Sequence, residues 1–351
     1  MKKILQWLFR FKKEVKAETD FSSSDLSASL EKETFPCRAC NHLFDFGQSV
    51  PLSVTSCSKC GEENFVPKKL GPFWLYRFCG DGGMGRVYQA ICSLVPGTEF
   101  AVKVLNENNR LNSEMVEGLR RESEITSFFN EHPNSVKTVE FDHDEDIYYM
   151  AMEYIDGFTI DQIIEQKGKF TEKETVKYIL DLLSIIEYIY SKGYLYRDLK
   201  PQNAMINEAD ELILLDYGIC LPKDAAVDDS FEDVEGSPHF LPPERLTGEG
   251  EDIRSEIYSI GMLMFYMLTG ETYFKGNDIQ EIAEMHVTAE RRENLADELP
   301  HISEELVRLI DKMTRQKKRR RAQDLGEVKA VLNCLWRQHT VKKKELELQE
   351  S

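Results

Sequence analysis

The stretch Tyr-Arg-Asp-Leu-Lys-Pro-Gln-Asn at residues 196–203, followed by Asp-Tyr-Gly at residues 216–218, decides the fold of this chain. It contains four chemically distinct groups in a fixed order: the carboxylate of Asp198, the ammonium of Lys200, the amide of Asn203 and the carboxylate of Asp216. In either segment alone, these residue types would indicate no more than a polar surface turn. Their presence together at this spacing indicates a reactive site.

A second informative stretch, Gly-Asp-Gly-Gly-Met-Gly-Arg-Val at residues 80–87, lies upstream. Glycines without side chains let backbone amides approach phosphate groups. The pattern is weak alone, because dinucleotide-binding folds share it. Here, however, alternating residues predict a strand at 87–91, a turn at Pro96-Gly97 and a second strand at 100–104, rather than a helix.

Composition sets broad limits on the function. The chain has 351 residues, enough for two or three domains, and a hydrophobic content of 41% supports a globular body. The formal charge of -18 argues against a nucleic-acid partner, because such binding relies on a basic surface. Of the eight cysteines, four form two Cys-x-x-Cys pairs and four are scattered, which favours reduced thiols and a metal site over a disulfide framework.

The motifs, in their order, resemble those of eukaryotic-like serine/threonine protein kinases, especially bacterial ones with a Gly-Gly-Met-Gly loop, over about residues 73–335. The resemblance implies an α+β, bilobal protein kinase fold with a β-rich small lobe (residues 73–152) and an α-rich large lobe (residues 156–338) in a kinase domain of residues 73–338. It also implies a cytoplasmic enzyme that uses ATP with Mg²⁺ or Mn²⁺, phosphorylates protein Ser/Thr hydroxyls and phosphorylates itself.

The resemblance assigns roles to individual residues. Asp198 would accept the proton of the acceptor hydroxyl, Lys200 would balance charge, and Asn203 with Asp216 would hold the metal. Lys103 would pair with the nucleotide phosphates and with a carboxylate partner, for which Glu122 is the first choice and Glu124 the alternative. The expected ATP-binding residues are Gly80, Gly82, Gly83, Met84, Gly85, Val87, Ala101, Lys103, Glu122, Met152, Glu153, Ile155 and Met205.

The large lobe is expected to contain helices at about 159–166 and 172–191 before the catalytic loop, and Arg321 is expected to pair with Glu244. In similar kinases with an arginine before the catalytic aspartate, a phosphate on the activation segment usually pairs with it. Here the acidic residues between Asp224 and Glu235 could meet Arg197 instead, or could form a solvated loop. The chain departs from the family pattern at Tyr196 for His, Tyr217 for Phe, Pro243 for Ala and Glu256 for Asp.

The amino-terminal region divides into three predicted segments, residues 1–16, 17–35 and 36–67. Residues 1–16 form a basic amphipathic helix that could lie on an anionic membrane surface or dock on the protein's own body. They do not resemble a signal peptide, because Gln6 and Arg10 interrupt the apolar run. Residues 17–35, rich in serine and acidic residues, predict a flexible linker. At the other end, residues 339–351 predict a charged tail.

Two Cys-x-x-Cys pairs, formed by Cys37 with Cys40 and by Cys57 with Cys60, are separated by sixteen residues. Four thiols at this spacing suit tetrahedral Zn²⁺ in a closed, structural site, and these cysteines are the predicted ligands, although a redox pair or two chance turns would also give such pairs. The segment, residues 36–67, resembles a zinc ribbon. The sequence is also compatible with two alternatives to an active kinase: a nucleotide-binding pseudokinase scaffold, and an adaptor in which the ribbon is the primary functional unit.

Overall fold

The computed structural model describes residues 23–81, 85–95, 97–110, 112–225, 236–276, 278–288 and 295–349. They form two compact units. The first, the small lobe, comprises the described residues up to 130 together with 136–155, and the second, the large lobe, comprises 131–135 and the residues from 156 onward. The first is rich in strands and the second in helices, so the predicted α+β class is confirmed. The predicted helix at residues 1–16 lies outside the described residues.

An antiparallel six-stranded sheet forms the body of the small lobe. Its strands are β5 (Lys68–Leu70), β6 (Phe73–Asp81), β7 (Gly85–Cys92), β8 (Glu99–Leu105), β9 (Thr138–Asp144) and β10 (Ile147–Glu153), and helix α2 (Ser113–Phe128) lies between β8 and β9 in the chain. The strand order in the sheet is β5-β6-β7-β8-β10-β9. The register places Val87 and Met150 on either side of Lys103. Residues of one face form an apolar core around Phe73, Phe100 and Tyr149.

The segment before the sheet consists of helix α1 (Ser23–Leu30) and two short hairpins, β1 (Thr34–Pro36) with β2 (Leu43–Asp45) and β3 (Val54–Ser56) with β4 (Glu63–Phe65). Leu26 and Leu30 of α1 are buried in one apolar cluster with Trp74 and Ile91 of the sheet. The predicted flexible linker is therefore wrong over residues 23–35, because this segment is folded and contributes to a core. Residues 17–22 lie outside the described part of the chain.

The large lobe is built around two long helices, α4 (Glu172–Ser191) and α6 (Ile253–Thr269). Capping boxes at Thr171 and Asp252 fix where they begin, and α6 is buried along almost its whole length. The other elements are β11 (Gly157–Thr159), α3 (Ile160–Lys167), β12 (Tyr194–Leu195), β13 (Ala204–Asn207), β14 (Leu212–Leu214), β15 (Leu221–Pro222), α5 (Pro243–Leu246), α7 (Ile279–Thr288), α8 (Leu295–Glu298), α9 (Glu304–Met313) and α10 (Leu325–Gln349).

Helix α10 continues through residue 349, so the segment predicted as a separate charged tail from residue 339 is part of this helix over its described length. Within the described ranges, no helix combines the length and apolar character needed to cross a membrane.

Candidate active site

The small lobe holds a buried ion pair between β8 and α2. The ammonium nitrogen of Lys103 lies 2.7 Å from both carboxylate oxygens of Glu122. The buried residues of α2 are Leu119, Glu122, Ser123 and Thr126, which recur at helical spacing and define the face turned inward. Glu124 lies off this face and pairs with Arg120 at the surface. Helix geometry therefore selects Glu122 as the partner of Lys103.

Several predicted nucleotide-binding residues share one face of the sheet. Val87 is directly opposite Lys103, and Met152 is directly opposite Ala101; directly opposed residues of antiparallel strands project to the same side. Gly85 begins β7, where a Cβ would lie 2.3 Å from the carbonyl oxygen of Val104. Only glycine fits at that position. Gly80 belongs to β6, whereas Gly82, Gly83 and Met84 lie outside the described residues.

Three of the residues predicted to bind ATP, Met152, Glu153 and Ile155, lie at the end of β10 and just after it. Glu153 exchanges two hydrogen bonds with the backbone of Lys137: its own N–H donates to the Lys137 carbonyl at 2.8 Å, and its side chain accepts from the Lys137 N–H at 2.8 Å. This anchoring fixes the direction of the chain towards Ile155. Met205 lies on β13 of the large lobe, opposite Thr159 and Ile213.

In the large lobe, Asp198 lies at the centre of a hydrogen-bond network. Its Oδ2 accepts from the ammonium of Lys200 at 2.7 Å and from the amide of Asn203 at 2.7 Å. The same amide also donates to the Asp198 carbonyl at 3.0 Å. Its Oδ1 is buried and receives no hydrogen bond from the described residues. One carboxylate oxygen is thus held in place, while the other remains as an acceptor, as a group that receives a hydroxyl proton requires.

The Asp216 loop is tied to the catalytic loop through two tyrosines. The hydroxyl of Tyr196 donates to the carbonyl of Leu215 at 2.6 Å, and that of Tyr217 donates to Ser135 at 2.7 Å. The two rings are both fully buried and pack edge to face with centroids 5.4 Å apart. The residues common at these two positions, His and Phe, have no hydroxyl group. In this chain the hydroxyl of each tyrosine has a hydrogen-bond partner. Asp216 itself has a φ of +47°, an uncommon conformation that often marks a functional residue.

Glu256 braces the backbone of the catalytic loop despite its extra methylene. Its Oε1 accepts from the backbone N–H of Arg197 at 2.9 Å. Burial raises the pKa of Glu256 to about 7, although the hydrogen bond from Arg197 acts in the opposite direction.

The predicted pairing of Glu244 with Arg321 is confirmed. The two side chains form a bidentate ion pair, with nitrogen–oxygen distances of 2.6 and 2.7 Å.

The four cysteines of the amino-terminal module come together. All four Sγ atoms lie within 4.8 Å of one another, with Cys37 to Cys60 at 3.6 Å and Cys40 to Cys57 at 3.8 Å. These separations are too long for disulfides, in which the sulfurs are about 2.05 Å apart. Ligands about 2.3 Å from a tetrahedral zinc ion would lie about 3.8 Å apart. The donor set therefore fits tetrahedral zinc.

The two Cys-x-x-Cys pairs form matching turns. The backbone N–H of Asn41 donates to the Cys37 carbonyl, and that of Gly61 donates to the Cys57 carbonyl, both at 2.9 Å. Asn41 and Gly61 have φ angles of +53° and +78°, in the left-handed region that glycine adopts freely and asparagine more readily than most residues. Burial opposes ionisation of the Cys37 thiol, but backbone hydrogen bonds and one from Asn64 outweigh it and lower its pKa to about 6.

Two charged residues that contact Arg197 were not predicted from the sequence. Glu251 and Arg245 form a buried cluster with Arg197, whereas the acidic residues expected to meet Arg197 lie outside the described part of the chain, except for the exposed Asp224. Glu251 follows Glu249 in a polar loop, and nothing in the residue types distinguishes the two. Only the tertiary position does so.

The protein kinase domain model matches residues 73–336, which is more than half of the chain. The chain therefore belongs to the protein kinase domain family. It is similar to serine/threonine-protein kinase PrkC of Bacillus subtilis (31% identical over 220 residues, 63% of this chain and 34% of the relative). It is also similar to serine/threonine-protein kinase pkn3 of Myxococcus xanthus (32% identical over 225 residues, 60% of this chain and 40% of the relative). The chain thus spans roughly a third to two fifths of these relatives' lengths.

Proposed function

We propose that this protein is a serine/threonine protein kinase that transfers the γ-phosphoryl group of ATP to protein hydroxyls, including its own. The observation that carries the proposal is the arrangement at Asp198, in which one carboxylate oxygen is held by Lys200 and Asn203 and the other is left without a described partner. The names of the two relatives, both serine/threonine-protein kinases, support the same activity.

Each residue then has a chemical task. Asp198 orients the acceptor hydroxyl and takes its proton, and Lys200 offsets negative charge on the transferring group. Lys103, positioned by Glu122, holds the nucleotide phosphates, while the amide oxygen of Asn203 and the carboxylate of Asp216 are donors of the kind that Mg²⁺ or Mn²⁺ prefers. A bound divalent ion would neutralise phosphate charge during transfer.

Transfer of label from [γ-³²P]ATP to a general Ser/Thr substrate tests this proposal. The wild type should label the substrate, and phosphoamino-acid analysis should find phosphoserine or phosphothreonine. Asp216→Asn at the same folded concentration should transfer nothing. A wild type that binds ATP but transfers no label would identify a pseudokinase scaffold instead.

We also propose that Cys37, Cys40, Cys57 and Cys60 bind one structural Zn²⁺. The support is the near-tetrahedral spacing of their sulfur atoms. Metal analysis should find one zinc per chain in the wild type and in Cys79→Ser, a control because Cys79 is exposed outside the cluster. The double variant Cys57→Ser, Cys60→Ser should lose it. Zinc-free wild type with a folded amino-terminal module would contradict the proposal.

Residues 1–16 are proposed to associate with anionic membrane surfaces on the cytoplasmic side. The support is the sequence alone, with five basic and no acidic residues among the first thirteen. The full chain should co-sediment with phosphatidylserine vesicles more than with phosphatidylcholine vesicles, and less as salt rises. A chain that lacks residues 1–16 should co-sediment equally with both kinds of vesicle. Equal sedimentation of both chains would favour docking on the protein's own body.

A further inference from the structure

The residue before Asp198 is part of a buried cluster of three charged side chains. Glu251 Oε1 accepts from Nε of Arg197 at 2.9 Å, and Glu251 Oε2 accepts from Nη2 of Arg245 at 2.7 Å. The side chains of Arg197, Glu251 and Arg245 are only 3%, 2% and 1% exposed. One carboxylate therefore lies between two guanidinium groups, away from water.

The charge on Glu251 is maintained by this environment. Burial by itself favours the neutral acid, but Arg245, and then Arg197, outweigh it and keep the pKa of Glu251 below its ordinary value. Glu251 is therefore an anion at neutral pH. Its attraction to both arginines is strengthened by the low dielectric of the interior.

The cluster acts directly on the catalytic backbone. Nη1 of Arg245 donates to the carbonyl oxygen of Arg197 at 2.9 Å, and the N–H of Arg197 donates to Glu256 at 2.9 Å. Between these two anchors, Arg197 has a φ of +73°, which a residue with a Cβ adopts only when its surroundings hold it there. The conformation of Arg197 sets the direction in which the chain enters Asp198.

Glu251 is an ordinary, unmodified residue of the loop between α5 and α6. It lies three residues after Gly248, whose φ of +69° lets the loop turn. Asp252, the next residue, caps α6 by accepting from the backbone N–H of Arg254. The anion is therefore fixed to the start of a buried helix and requires no modification of the protein.

We propose that Glu251 is a built-in anion for Arg197, a positioning residue that keeps the catalytic loop in its working conformation without a phosphate on the activation segment. The inference rests on the kinase activity proposed above. In this proposal, a carboxylate of the α5–α6 loop pairs with Arg197 in place of a phosphate on the activation segment.

The test compares phosphatase-treated full-length proteins after removal of the phosphatase: wild type, Glu251→Gln, Glu251→Asp and Glu249→Gln. Glu249 is a matched control, because it is exposed in the same loop. Progress curves with a general Ser/Thr substrate give kcat, the KM for ATP and any lag. Thermal melting and mass spectrometry report folding and phosphorylation state.

We expect the dephosphorylated wild type to react without a lag and with a kcat within twofold of the ATP-preincubated enzyme. Glu251→Gln should lose at least tenfold in kcat with the KM for ATP within twofold, Glu251→Asp should recover part of the loss, and Glu249→Gln should match the wild type. A purely structural role would lower the amount of folded enzyme without this split between kcat and KM.

Two results would overturn the inference while leaving the proposed function intact: a dephosphorylated wild type that is inactive until it has autophosphorylated, or a Glu251→Gln enzyme as active as the wild type. If Glu251→Gln does not fold, the lag of the dephosphorylated wild type decides alone. A wild type that is inactive before and after preincubation with ATP would defeat the proposed function, and the inference with it.

Discussion

Glu122 holds Lys103 with both of its carboxylate oxygens, each 2.7 Å from the ammonium nitrogen, and both side chains are buried. A buried pair of this kind is weak evidence for stability, because the cost of desolvating two ions offsets much of their attraction. Its value here is positional. The carboxylate fixes where the lysine presents its charge on the sheet face shared with Val87.

Glu122→Gln should reduce kcat/KM for ATP at least tenfold, because an amide offers one acceptor and no charge to the Lys103 ammonium. Glu124→Gln, on the exposed side of the same helix, should stay within twofold of the wild type. Steady-state kinetics at equal folded concentration measures both. If the two variants lost equal activity, the contact between Glu122 and Lys103 would have no specific role in catalysis.

Asp198→Asn should lower kcat by about 10²- to 10⁴-fold, the usual contribution of a positioned base, while ATP affinity stays within a few-fold. The amide can still pair with Lys200 or Asn203 through one atom, but it cannot take a proton. Single-turnover transfer and nucleotide titration separate the two effects. Asp297→Asn, at an exposed position of α8, is the control. If Asp198→Asn kept full turnover, Asp198 would not be the catalytic base.

Glu256→Gln should change how stability depends on pH. The pKa of Glu256 is raised from 4.5 to about 7 in the folded protein, so the folded state binds this proton more tightly than the unfolded chain does. The wild type therefore loses stability as the pH rises towards 7, and the glutamine variant, which does not titrate, escapes this loss.

Between pH 5.5 and 7, the free energy of unfolding of Glu256→Gln should rise relative to the wild type by about 2 kcal/mol, and the difference should be constant above pH 8. Urea unfolding across this range measures it while staying above the isoelectric point near 5.0. Glu249→Gln provides the pH-independent comparison. A difference that stays flat across the range would mean that Glu256 ionises normally.

Leu30→Ala should destabilise the small lobe by about 2–5 kcal/mol, because Leu30 is fully buried in the cluster that contains Trp74. Leu43→Ala, in the same module but 44% exposed, should cost less than about 1 kcal/mol. Denaturant unfolding followed by tryptophan fluorescence compares them. Equal stability of the two variants would restore the linker interpretation of residues 23–35.

The sequence was most informative where function restricts residue type. The glycine-rich segment and the residues from Asp198 to Asp216 require particular side chains at fixed spacing, so their roles could be predicted. Long periodic helices such as α4 were equally accessible, because eleven of its twenty residues are apolar or aromatic, and their spacing indicates a buried face. The resemblance to kinases ranked Glu122 above Glu124, and Glu122 is the residue that lies on the buried face of α2 and contacts Lys103.

Other features depend on tertiary position and could not be predicted. Helix α1 offers only Leu26 and Leu30 at a spacing of four, in a serine-rich segment that otherwise indicates disorder. The burial of Trp74 against this helix is a long-range contact with no local signal. Similarly, Glu249 and Glu251 differ in sequence by nothing that predicts which is exposed and which is buried between two arginines.

The indole of Trp74 donates a hydrogen bond of 2.8 Å to Glu31, and its ring packs against Phe46, so the cysteine-bearing module and the first strand of the matched domain share one core. The family match begins at residue 73, directly beside this tryptophan. A chain cut at that boundary would expose the Trp74 and Ile91 side chains that the module covers. The start of the family match therefore lies inside a shared apolar core, and loss of the zinc proposed for the four cysteines should also destabilise the lobe that carries Lys103.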